Sequence, residues 1–160
     1  MLDMGFDWPM IISSVQNPRV KAAARLRDRS GRDDQQRIII DGVREISRAL
    51  KASVRIVEMF FFGEFCHDDE HQWLLAAARK AKVELIEVTP HVMEKLAFGH
   101  RASGVVAVAL PPRRQLADLN PPADGLVAVV EGAEKPGNLG AILRTADAAG
   151  IAAVIRSEEH

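Results

Sequence analysis

Glu131-Gly-Ala-Glu-Lys-Pro-Gly-Asn-Leu-Gly-Ala-Ile-Leu-Arg-Thr-Ala-Asp-Ala-Ala-Gly150 is the stretch whose reading decides the fold. It follows the apolar run Leu126–Val130 and precedes Ile151–Ile155, and both read as buried strands. Pro136 fixes one backbone angle in the turn, and Gly137 permits conformations closed to other residues. Asn138 is placed to cap a helix from about Asn138 to Ala149. Strand, turn, helix and strand make a β-α-β unit. Gly140 leaves room for a backbone or a ligand, and open amides at the helix start favour an anion or polar ligand. Arg144 lies about a turn and a half further in and can carry positive charge back toward a phosphate. The same residues also describe an ordinary β-α turn with a solvated Arg144, and physics alone leaves both readings open. The turn holds neither GxGxxG nor GxxxxGK[ST], which weakens dinucleotide and P-loop readings.

Upstream of this unit the chain changes character. Pro111-Pro112, Arg113-Arg114 and Pro121-Pro122 bracket a polar stretch that resists helix and central strand, so residues 111–124 read as a linker. Residues 1–110 alternate helix and strand. Residues 17–31 read as one helix, with Asn17 as N-cap, Pro18 at the first helical position and Gly31 past the end. Strands are expected at Ile38–Ile40, Val54–Phe62, Val83–Val88 and Val105–Leu110. Helices are expected at Val43–Leu50, from Asp68 to about Ala81, and from Pro90 to near Gly99. Such alternation predicts an α/β protein whose first domain is a three-layer α/β/α sandwich. Residues 125–160 supply one crossover helix and two strands, too little to close a core alone.

A length of 160 residues suits one domain plus part of a second, and a formal net charge of −1 excludes no partner by itself. Cys66 is the single cysteine, so no internal disulfide forms, and a cytoplasmic protein is expected. No run of residues is long and apolar enough for a membrane span, and no membrane partner is expected. Arg19, Lys21, Arg25, Arg29 and Arg32 stand in the first helical segment, with Arg25, Arg29 and Arg32 at the spacing of one helical face. Such a stripe suits phosphate contact, and it also describes a solvated basic face. Arg44, Arg48, His100, Arg101, Arg113 and Arg114 are further candidates of lesser weight. Cys66, His67, Asp68, Asp69, Glu70 and His71 are dense in metal-ligand types, but they follow no CxxC or HExxH pattern and acids suit a helix's first turn, so no metal site is expected. Trp73 reads as helix packing and Phe60, Phe61, Phe62 and Phe65 as core, which makes aromatic stacking on RNA a minor theme.

Lys135–Gly150 resembles the first signature motif of the SpoU/TrmH RNA 2′-O-ribose methyltransferases of the SPOUT superfamily. Asn17-Pro-Arg-Val-Lys21 is similar to that family's opening helix, Ile40–Leu50 to its EGxR segment, and Gly104–Ala109 to the strand that closes its substrate-binding domain. Glu131 and Lys135 depart from the family's usual residues at those places. The resemblance implies a ribosomal-protein-like RNA substrate-binding domain at 1–110 and, at 125–160, the first β-α-β unit of a trefoil-knot methyltransferase domain. It implies methylation of rRNA or tRNA with S-adenosylmethionine. Asn138 would help shape the site, and Arg144 would engage RNA phosphate and help activate the 2′-hydroxyl. The basic residues Arg19, Lys21, Arg25, Arg29, Arg32 and Arg44 would face RNA. Most of the cofactor pocket would come from later motifs, so this piece is expected to be inactive alone and not to bind the cofactor appreciably. The complete protein would be a homodimer through that further region, and the piece a monomer. Two other readings stay open: a stand-alone RNA-binding module, and a small-ligand α/β protein that holds a phosphate at the helix start near Asn138.

Overall fold

The computed structural model describes residues 11–98, 103–113, 115–132 and 136–157, and His100, Arg101, Arg114 and Lys135 lie outside them. The chain forms two compact units, Met1–Pro112 and Arg113–His160. The first runs α1 (Pro18–Arg25), α2 (Arg29–Gln35), β1 (Ile38–Asp41), α3 (Val43–Lys51), β2 (Ile56–Phe61), α4 (Asp69–Lys80), β3 (Glu84–Glu87), α5 (Pro90–Leu96) and β4 (Val105–Ala109).

Its sheet has the order β1-β4-β2-β3. β4 is antiparallel to both neighbours, and β2 and β3 are parallel. The last strand of the first unit therefore takes an interior place. Val105-Val-Ala-Val-Ala109 is buried throughout, as an unbroken apolar run requires when both faces of a strand are covered. Ile12 adds a single parallel bridge to Val88 beyond β3.

Alternation along the strands sorts the core into two clusters. Phe60, Phe62, Ile86, Val106 and Val108 pack with Val20, Ala23 and Leu26 on the α1 side and with Val92, Met93 and Leu96 of α5. Met59, Phe61, Val105 and Ala107 pack with Ile46 of α3 and with Leu74, Leu75 and Ala78 of α4. Successive strand residues point to opposite faces, so the two helix pairs cover opposite faces of the sheet.

The single helix expected over 17–31 is two. Asn17 does cap α1, its side chain accepting from the Arg19 N–H at 2.9 Å. The chain then leaves the helix through short-range bonds from Leu26, Arg27 and Asp28 to Ala23, Ala24 and Arg25. Beyond Leu26, which is fully buried, residues 27–37 hold no large apolar side chain, so a continued straight helix would bury nothing. α2 folds back instead. Arg32 Nη1 donates to the Leu26 and Arg27 carbonyls at 3.0 and 2.7 Å, and Gln35 Nε2 to the Ala22 carbonyl at 3.0 Å. Gly31 lies within α2, not past its end. The expected common helical face of Arg25, Arg29 and Arg32 is divided between two helices.

Two aromatic expectations are also corrected. Phe60, Phe61 and Phe62 are core, but Phe65 is 51% exposed and Trp73 47%. Phe65 sits in a one-turn 3-10 segment, Gly63–Phe65, that leaves the sheet. Trp73 lies on α4 away from the buried face of Leu74, Leu75 and Ala78.

Cys66 is buried beneath this segment. Burial, with the nearby Asp68 and Glu87 carboxylates, pushes its thiol up to about 11. The thiolate is the reactive form, and an unfolded cysteine titrates near about 8.5. At pH 8 we expect a disulfide reagent to label the folded protein roughly a hundredfold or more slower than the urea-denatured chain. Equal rates would show that the thiol is not sheltered.

The second unit contains β5 (Val127–Val130), α6 (Pro136–Ala148) and β6 (Ala153–Arg156), after a 3-10 turn at Leu116–Asp118. β5 and β6 are parallel, with Val127 opposite Ala153 and Val129 opposite Ile155. The helix starts at Pro136, so Asn138 lies inside its first turn and is not the N-cap expected from sequence. Proline suits the first helical position because the amide it lacks would have no partner there. Gly150, at φ +68°, closes the helix in the left-handed conformation. Leu126, Val127 and Val129 remain exposed, because one helix covers only one face of two strands.

Candidate nucleic-acid surface and catalytic turn

Asn138 and Arg144 are both exposed on α6. The Arg144 side chain turns back toward the helix start, as helical side chains do. Its Nη1 comes within 3.4 Å of where a Cβ on Gly140 would stand. A Cβ there would just touch that guanidinium, and a branched side chain at 140 would press on it. Among the described residues, a Cβ at Gly132 or Gly137 would meet nothing within 4 Å. Thr145 Oγ1 donates back to the Ala141 carbonyl. The Arg144 guanidinium is carried back from residue 144 toward Gly140 and the helix start, an arrangement suited to an anionic ligand.

In the first unit the expected RNA-facing residues separate by role. Arg19 leans from α1 onto the sheet. It donates to Glu58 Oε2 at 2.6 Å and to both Glu84 oxygens at 2.7 Å. Glu58 and Glu84 are paired neighbours on β2 and β3, and Glu58 is only 7% exposed. Arg19 thus neutralises two adjacent carboxylates, and its own pKa is held well above the usual value. Arg32 is tied to the Leu26 and Arg27 carbonyls just past α1. Arg25 pairs with Asp34 at 2.9 Å, and Arg29 more loosely with Asp33 at 3.6 Å.

Hydrogen bonds from Arg19 hold the Glu84 carboxyl below its ordinary value. A carboxyl depressed by folding stabilises the fold above its unfolded pKa, near about 4.3, and loses that contribution as pH falls through the folded value. We expect Arg19→Ala to lower stability by about 2 kcal/mol at pH 7, less than for a fully buried pair because Arg19 is 38% exposed. The deficit should shrink toward pH 4, as the Glu84 carboxyl protonates and the contribution of its bond to Arg19 is lost. Urea titrations of both proteins at the two pH values read this directly, and a deficit independent of pH would contradict the assignment.

Lys21 and Arg25 line an open groove of about 760 Å³ between α1 and α5, together with His91 and Lys95. Asp28 and Glu94 also line it. His91 and Lys95 on α5 were missed in the sequence because they are dispersed along it and meet Lys21 only through the packing of α1 on α5. Arg44 is elsewhere, on α3, which packs on the opposite face of the sheet. The expected residues therefore do not form one continuous surface.

His71, from the suspected ligand cluster, is fully engaged. Nδ1 lies 2.8 Å from Asp68 Oδ1 and Nε2 2.8 Å from the Ser103 carbonyl. Asp68 caps α4 through the His71 N–H, and that bond holds its carboxyl below the ordinary value. These residues tie α4 to the approach of β4. Among the described residues no group of three or more His, Cys, Asp or Glu is arranged around a common point for a metal. Nor is any described helix long and apolar enough to cross a membrane.

Comparison with known proteins bears on both units. The MRM3-like substrate binding domain matches residues 17–107, more than half of the chain. A protein of Synechocystis named an uncharacterized tRNA/rRNA methyltransferase is 31% identical over 140 residues, covering 88% of this chain and 50% of its own length. The 23S rRNA (guanosine-2′-O-)-methyltransferase RlmB of Ralstonia nicotianae is 33% identical over 126 residues, 76% of this chain and 51% of its own. Thus the chain spans about half the length of the curated relatives it matches. Among solved structures, an RNA 2′-O ribose methyltransferase superposes with a TM-score of 0.79 at 42% identity, over 94% of this chain and 57% of that one. The SpoU methyltransferase AviRb of Streptomyces viridochromogenes, solved in complex with AdoMet, gives 0.77 at 26% identity over 88% and 53%.

Proposed function

The chain belongs to the SpoU/TrmH family of RNA 2′-O-ribose methyltransferases, and from that premise we propose that the complete protein methylates a ribose 2′-hydroxyl of rRNA or tRNA with S-adenosylmethionine. Residues 1–110 are its substrate-binding domain, a three-layer α/β/α sandwich. Residues 111–124 are a linker, and residues 125–160 open a SPOUT methyltransferase domain of trefoil-knot type. The protein acts in the cytoplasm, and the complete molecule is a homodimer. The observation that carries this reading is a family match over residues 17–107 followed in the same chain by α6, with Arg144 laid back over Gly140.

The described residues of the second unit supply one helix and two parallel strands, too few elements to close a cofactor pocket by themselves. We therefore expect the 160-residue chain to bind it weakly and not to transfer a methyl group alone. In the complete protein the cofactor supplies a methyl group already activated by its sulfonium. The remaining task is to hold the 2′-oxygen in line and to let its proton leave. Arg144 suits the first part. Its guanidinium stays charged and grips phosphate in a fixed fork, which positions the ribose and favours negative charge developing on its oxygen. A proton-accepting role does not suit so basic a group. Asn138, in the first turn of the same helix, offers an amide that shapes the site's polar edge.

Incubating the complete protein with structured RNA and methyl-labelled S-adenosylmethionine tests the proposal. Label should enter RNA and render the modified linkage resistant to alkali, because a methylated 2′-oxygen cannot attack its phosphate. RNA binding without transfer would favour the stand-alone binding module, and label on a base would refute ribose methylation.

A further inference from the structure

The cavity between α3 and α4 is used by nothing above. It is an open hollow of about 380 Å³, and its lining includes Arg44, Arg48, Lys51, Asp69, Glu70 and Trp73. Arg44, Arg48 and Lys51 follow one another at the spacing of one face of α3, opposite the buried Ile46. All three are exposed. Two carboxylates share the cavity, yet among the described residues neither Arg44 nor Arg48 pairs with them or with any other acid. Trp73 leaves nearly half of its surface to solvent, and Lys51 Nζ stands 5.2 Å from its ring centre. A tryptophan at that exposure gives up much apolar burial, and a cation on one side helps to hold its ring in place.

We propose that this cavity is a nucleotide pocket, in which Trp73 stacks an unpaired RNA base and Arg44 and Arg48 hold an adjoining phosphate. An aromatic plane beside unneutralised arginines is how proteins grip single-stranded nucleic acid. Asp69 and Glu70 fit a nucleotide better than a phosphate alone. They repel an isolated anion but accept from the amino and imino donors of a base edge. Because Arg44 lies on a different face of the sheet from Lys21 and Arg25, the pocket is a second point of RNA contact, distinct from the α1–α5 groove. The inference rests on the RNA-methyltransferase reading.

Trp8 is the only other tryptophan, so a Trp8→Phe background makes Trp73 the sole indole reporter. Titrating that full chain with a mixed-sequence single-stranded RNA 12-mer at low salt should quench Trp73. Anisotropy of the same RNA, end-labelled, measures binding independently. Trp73→Ala should weaken binding roughly tenfold, with Trp73→Phe recovering most of it. Arg48→Gln should weaken binding to every sequence and reduce the slope of log affinity against log salt by about one. RNA binding with Trp73 silent and Trp73→Ala unimpaired would overturn the pocket and leave the RNA reading intact. No RNA binding by anisotropy, even at low salt, would overturn both.

Discussion

Arg144→Ala in the complete protein should reduce methyl transfer by about a hundredfold or more while leaving its fold unchanged. Arg144 is exposed on α6. Surface substitutions of this kind are usually close to neutral for folding. Its proposed value is to the transition state. Removing one preorganised donor from developing negative charge typically lowers turnover by about two to three orders of magnitude. Arg144→Lys keeps the charge but loses the fork, so it should fall between the two. The informative measurement is single-turnover transfer at saturating RNA, alongside RNA affinity and thermal unfolding. A fall in the chemical step with unchanged unfolding supports the role. Wild-type turnover in Arg144→Ala would remove Arg144 from the mechanism. A second variant, Gly140→Val, should mimic part of the loss by crowding the guanidinium that now rests 3.4 Å from that position.

Gly31→Ala should destabilise the first unit by about 3 kcal/mol. On helix propensity alone the sign would be opposite, because alanine is favoured over glycine inside a helix by up to about 1 kcal/mol. The close approach of two backbones reverses it. A Cβ at residue 31 would fall on the carbonyl oxygen of Arg25 and within 2.6 Å of its carbonyl carbon. Backbone cannot step aside as a side chain can, so α2 must lift from α1. That movement would stretch the bonds from Arg32 and Gln35 to the end of α1. Denaturation with urea gives the energy. Limited trypsin digestion locates it, since Arg25, Arg27, Arg29 and Arg32 lie in the loosened segment. A stabilised Gly31→Ala protein would mean that the two helices do not pack as described.

Gly31 also shows where local sequence ceases to inform. Followed by charged and polar residues, it reads as the stop signal of one helix. Nothing nearby in sequence reveals that the chain folds back and that residue 31 meets the carbonyl of residue 25. Exposed apolar side chains have the same cause. Trp73 among leucines and alanines reads as core, but which face of α4 is buried depends on where α3 lies. The strands were readable as elements, whereas their order in the sheet was not. β4, the last strand of the first unit, pairs with β1 and β2, and such pairing is decided by which apolar surfaces meet.

What the sequence determined by itself is chiefly local: the alternation of helix and strand, the β-α-β unit around residues 131–150, the Asn17 cap, and the family motif containing Asn138 and Arg144. Each depends on neighbours within a few positions, where backbone preference and periodic burial act. The tertiary structure alone decided that Arg19 serves two strand carboxylates, that Lys21 meets His91 and Lys95, and that Arg44 and Arg48 stand beside Trp73. Those groupings join residues far apart in the chain. They arise because helices must cover both apolar faces of one sheet, and that packing settles which charged side chains become neighbours.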